Sequence, residues 1–133
     1  RRREARLRDE KEAARREREA AEVRAEVRIR RQSLGRPEDF VLKVSNRASE
    51  TPVYNVRVQL DPYVREHRFD NIQPQMWDDY TFGWQESWLE RVPGSQTWAE
   101  WVEESNEKCI IEFDMNGERW RRTGSQAPIR ISA

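Results

Sequence analysis

This chain of 133 residues has little cysteine, little histidine and no long apolar run. Its one cysteine, Cys109, has no partner for an internal disulfide, and in the apolar stretch Cys109-Ile110-Ile111 a reduced thiol packs as a small hydrophobe. A reducing, cytoplasmic compartment is the expectation. One histidine, His67, cannot supply a zinc site, which wants three or four Cys, His or carboxylate ligands at tight spacing. In its polar setting of Arg65, Glu66, Arg68 and Asp70 it reads as an ordinary surface histidine. No apolar run approaches the ~20 residues that cross a bilayer, and no signal peptide opens the chain. Gly-rich phosphate loops are missing, and no serine sits in the strand-turn-helix setting of a nucleophile elbow. No catalytic residue, metal ligand or cofactor is therefore assigned, and the chain reads as non-enzymatic.

What is plentiful is charge, at 38% of residues, summing to zero. The sum hides a division. Residues 1–31 hold 13 Lys and Arg against 8 Asp and Glu, a net of +5, so residues 32–133 carry −5. Such asymmetry separates a basic arm from an acidic body.

From Arg2 to about Arg24 the chain is nearly all Arg, Glu, Ala and Lys, strong helix formers with no Gly or Pro between them. Glu4/Arg8, Glu12/Arg16 and Arg15/Glu19 stand four apart, where opposite charges stabilise a helix by roughly 0.2–0.5 kcal/mol each. Two stripes repeat every seven residues: Leu7, Ala14, Ala21 and Ala13, Ala20, Val27. They bury little, which leaves a weak coiled coil and a solitary charged spacer both open. Interleaved Glu residues cancel most of the field of the arginines, so no nucleic acid partner is expected. The locally basic Arg1-Arg2-Arg3 suits the cytoplasmic end of a membrane helix. The chain opens without methionine, and a membrane tether upstream of Arg1 is the accompanying expectation.

Near Val23 the apolar period changes to two, through Val23, Ala25, Val27 and Ile29, so the helix leads straight into a strand. Residues 1–24 and 25–133 are read as two domains, a helix and a β-sandwich. Phe40, Leu42 and Val44 alternate with polar neighbours, as do Tyr54, Val56, Val58 and Leu60, and the polar stretch Asn46 to Pro52 turns the chain between them. Gln96 to Val102 is predicted as a strand with Trp98 and Val102 on one face. Cys109, Ile111, Phe113 and Met115 face one way, Asn116-Gly117 makes a two-residue hairpin turn, and the chain returns through Trp120 to Arg122. Ile129 and Ile131 form a last short strand. Seven or eight short strands with turn signals and no helix between them predict an immunoglobulin-like antiparallel β-sandwich, mainly β, preceded by one charged α-helix.

Asp61 to Pro93 has no clear period and seven aromatic residues, so it holds short strands or a functional loop. Trp98 and Trp120 are assigned to the core. Trp77, Asp78, Tyr80, Trp84 and Trp88 form the candidate binding surface for a glycan or a peptide. Asp78 and Asp79 are neighbours, so a strand points them to opposite sides, which disfavours a paired-carboxylate glycosidase.

The stretch Asn46 to Val58, with its Ser-x-x-Pro-Val-Tyr-x-Val-x-Val core, resembles a pattern that continues through Val92-Pro93-Gly94, Trp98, Ile111 to Asp114 and Gly117 to Arg122. Together these are similar to a group of uncharacterised actinobacterial proteins in which membrane helices lead into a charged helix and a small β-sandwich. In that group the stretch after the Tyr-containing strand is shorter than the Trp-rich segment here. The resemblance implies a membrane-tethered accessory protein at the inner face of the membrane, and no activity. The expected function is protein interaction, with a protein partner or self-association through the N-terminal helix.

Overall fold

The computed structural model describes residues 1–60, 63–83 and 97–132. Its elements are α1 (Arg2–Ala20), β1 (Val23–Ser33), β2 (Arg36–Asn46), β3 (Val53–Leu60), β4 (Val64–Ile72), β5 (Met76–Gly83), α2 (Trp98–Lys108), β6 (Ile110–Met115), β7 (Glu118–Thr123) and β8 (Ile129–Ser132). A three-stranded sheet in the order β1-β2-β5 faces a five-stranded sheet in the order β4-β3-β6-β7-β8. Every pairing is antiparallel. Lettered in chain order, the first seven strands group as A-B-E against C′-C-F-G, the immunoglobulin-like arrangement that the strand pattern predicts, with β8 added beyond β7. Phe40, Leu42, Val44, Val56, Val58, Leu60, Ile111, Phe113 and Met115 close over one another as a single core.

Two hairpin turns rest on left-handed residues, the second where the sequence places it. Leu34 and Gly35 both take positive φ between β1 and β2, and Asn116 and Gly117 do so between β6 and β7. The polar stretch after β2 is different in kind: β2 and β3 lie in opposite sheets, so Asn46 to Pro52 is a crossover and not a hairpin. Buried Asn46 organises it. Its side-chain amide donates to the carbonyls of Thr51 (2.9 Å) and Ile72 (3.1 Å), and its oxygen accepts from the Ala48 N–H at 3.1 Å.

Two expectations need correction. Tyr54 does not share the buried face of β3: it is 46% exposed, and Val53 is buried in its place. Asn55 takes φ of +49°, a left-handed conformation that asparagine tolerates, and makes a bulge against β6. The extra residue turns every side chain before it to the other face. The segment Trp98 to Val102 is helix α2 and not a strand. Thr97 accepts from the Glu100 N–H at 3.1 Å and its hydroxyl donates to the Glu100 carboxylate at 3.1 Å, an N-cap that starts a helix. Trp98 and Val102, four apart, share a helix face as readily as a strand face. Trp98 is only half-buried; Trp101, 3% exposed, is the core residue of α2, its ring tilted against Phe40 at 5.0 Å and its indole N–H donated to the Tyr63 hydroxyl at 2.9 Å.

Helix α2 lies along the outer edge of β1. There Asn106 accepts from the Val27 N–H at 2.7 Å and donates to the Val27 carbonyl at 3.1 Å, so one side-chain amide does what a neighbouring strand would do. Replacing Asn106 by Ala leaves both groups of Val27 unpaired, and a loss of about 1–3 kcal/mol in urea unfolding is the expected outcome. An unchanged midpoint would show that water substitutes for the amide.

Candidate functional site

Strand β5 carries three of the five sequence-predicted binding residues, and it is one of the two outer strands of its sheet. Pairing places Trp77 opposite Ser45, and Tyr80 opposite the buried Leu42. Trp77 thus stands on the outer face, with the Lys43 ammonium 4.8 Å from its ring, while Tyr80 turns inward at the open margin of the sandwich. They do not form one platform. Asp78 and Asp79 are both exposed, and the Asp78 carboxylate accepts the Asp79 N–H at 2.8 Å. Trp84 and Trp88 lie outside the described residues.

His67 is not a free surface side chain. Paired with the core position Val58, it points between the sheets and stacks on Tyr80 at 3.9 Å, with Phe69 at 4.7 Å. Burial pulls its pKa below the usual 6.5, against a smaller opposing pull from Asp78. The rings of Trp98, Trp101, Phe40, Phe82, Tyr80 and His67 then run in contact from α2 to β4. Among the described residues no group of three His, Cys, Asp or Glu side chains converges as metal ligands would.

The most elaborate constellation is one that periodicity does not show: the junction of α1 with the sandwich. Trp120, on the inward face of β7 and 5% exposed, lies with Pro128 and Ile129 across a cleft of about 310 Å³ from Ala13 and Glu17 of α1. Glu118, also buried, accepts from Arg16 of α1 at 3.2 Å and from Arg130 of β8 at 2.9 Å. Glu19 bonds the Thr51 hydroxyl and the Asn116 amide, so α1 touches both the β2–β3 crossover and the β6–β7 turn. Where the helix ends, buried Arg122 donates to the carbonyls of Ala21 (2.7 Å), Val23 (2.9 Å) and Gln126 (2.9 Å). Burial lowers its pKa, with Arg24 adding to the effect. The signal in the sequence was the stripe Glu12, Arg16, Glu19 and Ala20, spaced as one helix face with Ala20 buried and the others half-buried, and its charges disguise it.

The Arg130 and Arg16 guanidinium groups hold the Glu118 carboxyl below its ordinary 4.5, and Arg31 with Arg30 does the same for Asp39. A carboxylate whose folded pKa is depressed stabilises the fold above its unfolded value and ceases to do so as pH falls through the folded one. Stability is therefore expected to drop below about pH 4.5, by less in Glu118→Gln than in the parent, as urea midpoints at neutral and acid pH would measure. Equal acid losses in both chains would remove Glu118 from the account.

No protein-family model, curated protein or solved structure matches the chain. No helix among the described residues is long and apolar enough to cross a membrane.

Proposed function

We propose that the chain is a non-enzymatic interaction module, a β-sandwich carried by a charged helix near the inner face of a membrane. The observation that carries this reading is the way α1 is divided. Its second half is tied to three parts of the sandwich through Arg16 and Glu19, with Ala20 buried, while residues 2–11 are exposed along their whole length. A rod fixed at one end and bare at the other suits presentation of the sandwich to a protein partner or to a second copy.

The fold narrows the surface for self-association. Ala20 and Val27, members of one heptad stripe, are buried within their own chain, which leaves Leu7 and Ala14 on the other. Sedimentation of the whole chain tests the pairing: a mass above the monomer that reverts in Leu7→Glu/Ala14→Glu supports it. A monomer at every concentration removes self-association and leaves a different protein as the partner. A second reading, a glycan- or peptide-binding sandwich, draws on the exposure of Met76 (57%) and Trp77 (56%) on β5. Quenching or shift of tryptophan fluorescence by a ligand, lost in Trp77→Ala, would favour it.

A further inference from the structure

The carboxylates interleaved along α1 do not neutralise it evenly, and the structure shows where the imbalance falls. Among the described residues every ion pair of α1 lies in its second half, joining Glu12 with Arg15 and Arg16, Arg15 with Glu19, and Arg16 with Glu118. Residues 1–8 hold five arginines and one glutamate, a net of +4, and all eight are exposed. At 100° per residue Arg2, Arg6, Arg3 and Leu7 occupy one continuous arc of that surface, with Leu7 49% exposed beside the arginines.

We propose that this basic end of α1 binds an anionic phospholipid surface, which names the membrane contact in the interaction-module reading and rests on that reading. Guanidinium groups pair bidentately with phosphate, and an apolar side chain among them enters the headgroup boundary. Geometry separates a bilayer from a polynucleotide. Arg6 stands roughly 15 Å along the rod from Arg16, where the helix meets the sandwich, and charges are screened within about 8–10 Å. A planar surface met by residues 1–8 thus escapes the −5 of residues 32–133, whereas a duplex long enough to lie along the helix approaches it. The arc also carries no aromatic side chain on which a base could stack.

The test is flotation of the whole chain with vesicles of phosphatidylcholine with and without phosphatidylserine. Arg2→Gln/Arg3→Gln/Arg6→Gln/Arg8→Gln keeps good helix formers and is expected to weaken binding to anionic vesicles by about a hundredfold or more. Arg28→Gln/Arg47→Gln/Arg65→Gln/Arg68→Gln removes the same charge elsewhere on the surface and is expected to bind nearly as the parent does. Equal behaviour of the two variants, binding that ignores phosphatidylserine, displacement by inorganic phosphate at constant ionic strength, or tighter binding to a short DNA duplex would each overturn the proposal. Sedimentation without lipid reads the self-association separately, so failure of one is distinguishable from failure of the other.

Discussion

Arg122→Ala is expected to destabilise the chain by about 3–5 kcal/mol, because hydrogen bonds to a charged donor are worth roughly 1.5–3 kcal/mol each and three carbonyls lose theirs together. The carbonyls belong to Ala21, Val23 and Gln126, so one guanidinium binds the end of α1, the start of β1 and the β7–β8 loop to the inward face of β7. No carboxylate shares the site within ion-pair distance among the described residues, so the desolvation of the cation is offset by those dipoles with a lesser pull from Glu22. Arg122→Lys is expected to recover only part of the loss, since an ammonium is a compact point charge without the planar fork that reaches separate acceptors. Thermal melts of the three chains decide the matter. An Arg122→Ala protein that melts within a degree or two of the parent would show that water fills the site and that α1 is held by Arg16 and Glu19 alone.

Gly124→Ala carries the second large effect. Gly124 has φ of +56°, and its N–H donates to the Cys109 carbonyl at 2.8 Å, drawing the β7–β8 loop against the end of α2. A Cβ added there would lie 2.6 Å from the Glu107 carbonyl oxygen and 2.8 Å from its Cα. The left-handed conformation costs an L-residue roughly 1–2 kcal/mol, and displacing packed backbone adds about 1–3 kcal/mol more. Urea unfolding of Gly124→Ala should show the sum. Gly117 provides the control: its φ is +73°, yet a Cβ there meets nothing within 4 Å, so Gly117→Ala is expected to show the conformational cost without the clash. Equal losses at the two glycines would mean that Glu107 moves aside freely.

Asn106 and Arg122 answer the same structural problem, the outer edge of β1. Asn106 closes it at Val27 and Arg122 closes it at Val23, while α2 lies alongside. An unpaired strand edge invites pairing with another chain, and here the Val27 N–H and carbonyl and the Val23 carbonyl are taken up by side chains of the same chain. Residues 2–11 of α1 and Met76 and Trp77 of β5, by contrast, are exposed. The single cysteine fits this closed side: burial pushes the Cys109 thiol up to about 12, so it packs and does not react.

Alternation in steps of two was enough to place Phe40, Leu42, Val44, Ile111, Phe113 and Met115 in one core, and the Asn116-Gly117 pair announced its hairpin, because such patterns are set by neighbours in the chain. The helical composition of the arm was equally plain, since propensity and i, i+4 charges are local. Three things were not legible. Tyr54 was placed on the wrong face because a bulge at Asn55 depends on what β6 presents opposite it, and α2 was missed because a four-residue spacing fits either a helix or a strand until Thr97 and Glu100 meet. The junction of α1 stayed hidden for the same reason on a larger scale. Arg122 and Glu118 look like solvated strand residues beside Arg119 and Arg121, and only the stacking of the sheets buries two of the four inward beneath a charged helix. Local sequence determined the strands, their turns and the rod; whether Arg122 meets water or carbonyls was decided chiefly by partners 99 and 101 residues away.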